Sequence, residues 1–181
     1  MTLFTFGHGT ATQEAIAAIL QRAGIGLVVD VRIAPGSRRH PHVARAELER
    51  WLPEAGIDYR WERRLGGFRR PAPDSPDTAW RNDSFRGYAG WTRSDDFAHA
   101  MDELVADAVR TRATVMCSES LWWQCHRRLI ADVAVLLRAT PVVHLMHDGR
   151  DSEHVPTPTA RVVDGVSLVY DLDQASLPFN D

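Results

Sequence analysis

Both cysteines of the chain fall within one short stretch, Cys117-Ser118-Glu119-Ser120-Leu121-Trp122-Trp123-Gln124-Cys125-His126-Arg127, beside a carboxylate, an imidazole and a guanidinium. A cysteine near a helix start and next to Arg or protonated His has its pKa lowered and is a candidate thiolate. Cys125, followed by His126 and Arg127, meets that description. Cys117, with Glu119 two residues on, fits a nucleophile with its own base. Seven residues separate the cysteines, so the Cys-x-x-Cys redox signature is absent, although geometry decides whether a disulfide closes. Cys117, Glu119, Cys125, His126, His8 and His144 are enough in number for a metal. No pair has the close spacing of a structural zinc site, and joint coordination by the adjacent Cys125 and His126 is awkward, so no metal is expected. The plain alternative is that both thiols are small buried core groups.

These side chains need elements to hold them. Residues 113–116 are a short apolar run that reads as a buried strand, and apolar positions 129, 130, 133, 136 and 137 mark one helix face. Cys117 then ends a strand and Cys125 lies in or near the first turn of the next helix. Upstream, residues 3–6 read as a strand closed by Gly7-His8-Gly9. Thr10 with Gln13 fits a capping box for a helix running to about Ala23, where Gly24 stops it. Residues 25–31 are a nearly continuous apolar run ending in Asp30-Val31-Arg32, the pattern of a strand buried on both faces. A helix over about 44–52 and a strand over 57–61 follow, then an irregular Arg- and aromatic-rich insertion over 62–93. Ser94 caps a helix whose stripe is Phe97, Met101, Leu104, Val105 and Val109. Residues 141–146 form another strand, and residues 160–170 a C-terminal β-hairpin turning at Asp164-Gly165.

The expected fold is a single α/β domain over 1–181, Rossmann-like, with a mostly parallel sheet flanked by helices. His8, Asp30 with Arg32, Cys117 with Glu119, and His144 then lie at the carboxyl ends of four strands, where open parallel sheets bind ligands.

Hydrophobic residues make up 44% and charged residues 25% of 181, an ordinary globular composition with one sizeable core. No run approaches a membrane span and the N-terminus lacks signal-peptide order, so a cytoplasmic protein with no membrane partner is expected. The net charge of −3 argues against an indiscriminate nucleic-acid binder. Every basic residue is arginine, which excludes lysine Schiff-base chemistry and offers planar recognition of phosphate. Arg32, Arg38 and Arg127 are the expected anion holders, Arg127 at a helix N-terminus that itself favours an anion. Gly66 and Gly67 would let backbone approach a ligand. Arg69, Asp30 and Tyr88 complete the expected binding set. Trp61, Phe68, Trp80, Phe85, Tyr88 and Trp91 can stack on bases or pack the core of the insertion, and packing is the stronger expectation. His40, His42, His147 and His154 read as plain loop residues.

The chain resembles the family of domain of unknown function 488 from about residue 5 to 146. The resemblance rests on Gly7-His8-Gly9-Thr10, on Asp30-Val31-Arg32 with Pro35 and Ser37-Arg38, and on Leu65-Gly66-Gly67 with Arg69-Arg70. It continues through the Tyr88 region to Phe97, and through Cys117-x-Glu119 followed by Cys125-His126-Arg127. Ala34 and His40-Pro41-His42 depart from the commoner wording, and Trp122-Trp123 stands where many members have proline. The resemblance implies an α/β fold and names no reaction or cofactor. In outline the chain is also similar to rhodanese-type sulfurtransferases, but the segment after Cys117 carries a carboxylate and two indoles where a compact anion loop is small. A small enzyme acting on a phosphate-bearing substrate, a nucleotide or nucleic acid, is expected. In it Glu119 serves as acid or base, Cys117 or Cys125 supplies thiol chemistry, and His8 and His126 assist proton transfer. The alternatives are a non-catalytic nucleic-acid or protein-binding module, a sulfurtransferase-like protein and a metal-binding protein.

Overall fold

In the computed structural model, which describes residues 1–172, six strands form one sheet in the order β3-β2-β4-β1-β5-β6. The strands are β1 (Leu3–Gly7), β2 (Leu27–Asp30), β3 (Asp58–Trp61), β4 (Ala113–Cys117), β5 (Val142–Leu145) and β6 (Ser152–Glu153). The first five are parallel and β6 runs antiparallel at the edge. Side chains alternate along each strand, so the sheet feeds two cores. Phe4, Phe6, Val28 and Met116 pack beneath α1 (Gln13–Arg22) and α2 (Arg45–Glu54). Leu3, Val29, Val115 and Cys117 face α3 (Asp83–Trp91), α4 (Asp95–Arg110) and α5 (Arg127–Arg138). The expected mostly parallel α/β architecture is therefore present. So is the hairpin, β7 (Ala160–Val163) with β8 (Ser167–Tyr170), turning through Asp164 and Gly165, both at positive φ.

Three local expectations are corrected. Thr12, not Thr10, caps α1, its hydroxyl accepting from the Ala15 amide at 3.3 Å. The segment 62–93 is not wholly irregular: Asn82 caps α3, its carbonyl accepting from the Ser84 and Phe85 amides at 2.8 and 3.4 Å. Val109 is exposed, and Ala100 and Ala108 complete the buried stripe of α4 instead. Among the described residues no helix is long and apolar enough to cross a membrane.

The chain leaves β1 through α1 on one face and leaves β4 through α5 on the other. Because β1 and β4 are neighbours, the two departing loops open a crevice between them. Such a reversal of winding is where open α/β sheets bind ligands.

Candidate functional site

The strand ends fix the floor of the crevice. Gly7 pairs with Cys117, the His8 amide donates to the Cys117 carbonyl at 3.0 Å, and the Gly9 amide donates to the Ser118 carbonyl at 2.9 Å. Gly7 has to be glycine, since a Cβ there would lie 1.8 Å from the Glu119 carbonyl oxygen. That carbonyl is turned inward onto Arg127. The Arg127 side chain, only 1% exposed, donates from Nη2 to the carbonyls of Glu119 and Ser120 and from Nη1 to Thr5 Oγ1 at 3.2 Å. Arg127 therefore does not reach the crevice to hold an anion. It braces the loop after β4 from below, because two carbonyls turned into the interior need a donor there.

Cys117 at the end of β4 and Cys125 with His126 at the entrance of α5 meet at the floor. Their Sγ, Sγ and Nδ1 atoms all lie within 4.8 Å of one another, with Nδ1 3.7 Å from Cys125 and 4.0 Å from Cys117. Both thiols are buried and free. Hydrogen bonding from Cys117, helped by the charge of Arg127, pulls Cys125 down to about 6 against the opposing effect of burial. The same shared hydrogen bond, with burial, pushes Cys117 up to about 12. Both shifts have their largest cause in the contact between the two sulfurs, and the charge of Arg127 adds to the lowering at Cys125. A Cβ on Gly67 would lie 3.1 Å from Nδ1, so this glycine keeps the backbone clear above the imidazole. His126 Nε2 is buried without a partner.

Above this floor lies a cavity of about 800 Å³, lined by His8, Gly9, Arg32, Arg39 and His40 on one side. Gly67, Phe68, Phe85 and Tyr88 line the other side, with Cys117, Glu119, Cys125 and His126 between. His8, Cys117, Glu119, Cys125 and His126 are thus brought together. Arg32 also lines the cavity, but its guanidinium is occupied. Nε and Nη2 form a fork on Asp30 at 2.9 and 2.6 Å, Nη2 also donates to the Val43 carbonyl, and Nη1 donates to His8 Nε2 at 3.2 Å. Asp30, fully buried and also accepting from Tyr59, orients Arg32 and does not face a ligand. His8 Nδ1 bonds the Gly9 carbonyl at 2.9 Å, and burial together with the charge of Arg32 pulls its pKa down to about 4, so the ring is neutral.

Other expected binding residues lie elsewhere. Arg38 is exposed and off the lining, and the Arg39 beside it takes the place at the crevice. Arg69 lies over the Trp91 ring at 3.8 Å and donates to the Gly66 carbonyl. Gly66 is small because Ile33 and the Arg63 carbonyl pack on it. Tyr88 supplies a wall, and its hydroxyl is spent on the Leu65 carbonyl at 2.7 Å. The aromatic residues of the insertion are mostly packed, Trp80 stacking on Phe85 and Trp91 donating to the Arg64 carbonyl, whereas Phe68 is 93% exposed at the crevice with φ 59°. His40 lines the crevice and is no plain loop residue.

His144 does not join the crevice. It belongs to a buried chain in which Thr5 Oγ1 bonds His144 Nδ1 at 2.7 Å and His144 Nε2 bonds His154 Nδ1 at 3.0 Å. His154 Nε2 reaches Asp132 at 2.9 Å, and Thr157 and Tyr170 also donate to Asp132. Trp122 stacks on His144 at 4.1 Å. Burial and the neighbouring His154 pull His144 down to about 3. His154, expected in an open loop, is a buried link of this chain.

No curated protein and no solved structure matches the chain. The family model described as domain of unknown function DUF488 matches residues 12–134, a span that holds Arg32, Arg39, Cys117, Glu119, Cys125 and His126 and leaves out His8. With more than half of its length matched, the chain belongs to the DUF488 family.

Proposed function

We propose that the crevice is the active site of a small enzyme acting on a phosphate-bearing substrate, a nucleotide or nucleic acid, with its chemistry centred on Cys117, Cys125, His126 and Glu119. The observation that carries this reading is the meeting of two thiols and an imidazole at the floor of a cavity that also holds an uncommitted cation and an uncommitted carboxylate. Among the described residues Arg39 has no hydrogen-bond or ion-pair partner, which leaves its planar fork for an anionic group. Glu119 accepts only a 3.3 Å bond from the Leu121 amide, and it is the one carboxylate among the described lining residues. Exposed Phe68 offers a flat apolar face at the rim, suited to a base.

A non-catalytic nucleic-acid platform on 62–93 is the weaker reading, because four of its seven arginines are engaged, Arg69 on the Trp91 ring and three in ion pairs. Arg64 pairs with Glu62 and Glu103, Arg86 with Asp83, and Arg93 with Asp77. Calorimetric titration with a nucleoside monophosphate, a short single-stranded oligonucleotide and the unphosphorylated nucleoside tests the proposal. Binding that needs the phosphate and falls about tenfold or more in Arg39→Ala is expected, the loss of one charge-assisted hydrogen bond of about 1.5–3 kcal/mol. Equal binding of nucleoside and nucleotide, or no effect of Arg39→Ala, contradicts it.

A further inference from the structure

We infer that Cys117, Cys125 and His126 are three ligands of a soft divalent cation of the zinc class, with the fourth coordination position open to the crevice. The sequence alone argues against this, since Cys125 and His126 are neighbours. The fold removes the objection by the bend of the chain there. Cys125 is extended (φ −119°, ψ 148°) and His126 has already turned into the helical region (φ −57°, ψ −15°), so the two side chains converge.

Distances support the assignment. Tetrahedral zinc, with bonds of about 2.3 Å to sulfur and 2.0–2.1 Å to nitrogen, sets a sulfur about 3.5 Å from the imidazole nitrogen and two sulfurs about 3.8 Å apart. Here Nδ1 lies 3.7 Å from one sulfur and 4.0 Å from the other, and no pair of the three donor atoms exceeds 4.8 Å. Closing on a cation therefore takes shifts of a few tenths of an ångström for the nitrogen pairs. Two thiolates and one imidazole select zinc among abundant divalent ions over magnesium or calcium. Two cysteines, one histidine and a vacant place are also the pattern of a catalytic centre, whereas a structural zinc is closed by a fourth protein ligand.

The surroundings fit the same reading. The donors come from a strand end and a helix entrance, both rigid, and the Arg127 brace holds the loop that separates them. Gly67 leaves space beside Nδ1 that any side chain would fill. Nδ1 is the nitrogen that faces both sulfurs, so coordination through it puts the ring proton on the buried Nε2, which has no outer partner to donate to among the described residues. On binding, the sulfurs enter as thiolates, any thiol protons still present pass to solvent, and a water takes the fourth place. Glu119, the carboxylate of the crevice, is the group available to accept a proton from that water. The inference deepens the proposed enzyme by naming a group that would activate a water in its crevice, and it rests on that reading only for what enters the fourth position.

The test uses the full-length protein, reduced and freed of metal with a chelator, then titrated with Co²⁺ and Zn²⁺ in the absence of any substrate. One Co²⁺ per chain with a thiolate-to-cobalt charge-transfer band, displaced by Zn²⁺, is expected. Cys117→Ser and Cys125→Ser should abolish the band. His126→Gln should weaken uptake by more than the roughly 10–100-fold that loss of a supporting outer partner costs. Because the buried cysteine variants can lose their fold, alkylation of the unmutated protein is followed at each cysteine by mass spectrometry, and Zn²⁺ should slow both. A folded, reduced protein that shows neither a stoichiometric band nor zinc protection of both thiols overturns the site, as does a band that survives the two serine variants. Metal uptake is read without substrate, so its failure leaves the phosphate reading standing, and failure of phosphate binding leaves the metal site standing.

Discussion

Neutral histidine is the condition on which several buried contacts of this protein depend. His8 accepts a hydrogen bond from Arg32, and a protonated ring has no lone pair to accept it. His144 stands between a hydroxyl and a second imidazole in a sealed chain ending at Asp132. Both have folded pKa values below the unfolded value of about 6.5, His8 at about 4 and His144 at about 3. Between those limits the unfolded chain binds more protons, so stability is fully present above pH 6.5 and is lost as pH falls. The slope is about 1.4 kcal/mol per pH unit for each proton taken up on unfolding. Urea unfolding of the metal-free protein should therefore show a midpoint that falls between pH 6.5 and pH 5, and a flat or rising midpoint across that window contradicts the assignment. Arg127 shows the converse dependence on surroundings. That its neighbours Cys125 and His126 lie with Cys117 at one place was legible in the sequence, because adjacency to a strand end and a helix start is local information. That the guanidinium turns inward follows from the carbonyls of Glu119 and Ser120, whose direction no local pattern records.

At the scale of elements, the crevice has one wall built by the strand ends and another built by α3. The parallel strands were legible as short apolar or aromatic runs, with paired β-branched residues in β2, β4 and β5, and α4 and α5 because their apolar positions repeat at helical spacing. α3 was not, since only nine residues form it and Gly87 and Gly90 lower its helix propensity. Gly87 is there for contact: a Cβ would lie 2.2 Å from the Arg69 carbonyl oxygen. What starts the helix is Asn82, and Tyr88 then ties it to the 3-10 turn Arg63–Leu65. Asn82→Ala should cost about 1 kcal/mol of stability. It should also speed hydrogen exchange in α3 while leaving the amides of β4 protected. Unchanged exchange in α3 would show that the cap is not what holds this wall.

Across the whole molecule, the strand order places the two departing loops back to back, a long-range arrangement that no window of sequence contains. The C-terminal hairpin then locks the outer wall to the rest. The Ala79 amide donates to the Tyr170 carbonyl, Asp77 accepts from the Tyr170 amide and pairs with Arg93, and the Tyr170 hydroxyl reaches Asp132 on α5. The segment 62–93 is thus held from two sides, with its Phe68, and Arg39 from the loop after β2, at the mouth of the crevice. Every role proposed for these side chains requires that ligands enter there. The most direct measurement is a map of amide chemical-shift changes on adding a nucleoside monophosphate to the labelled protein. Changes concentrated at His8–Gly9, Arg39–His40, Gly67–Phe68, Cys117–Glu119 and Cys125–His126 are expected. Saturable changes centred away from these strand ends, or none at millimolar ligand, would contradict the central claim.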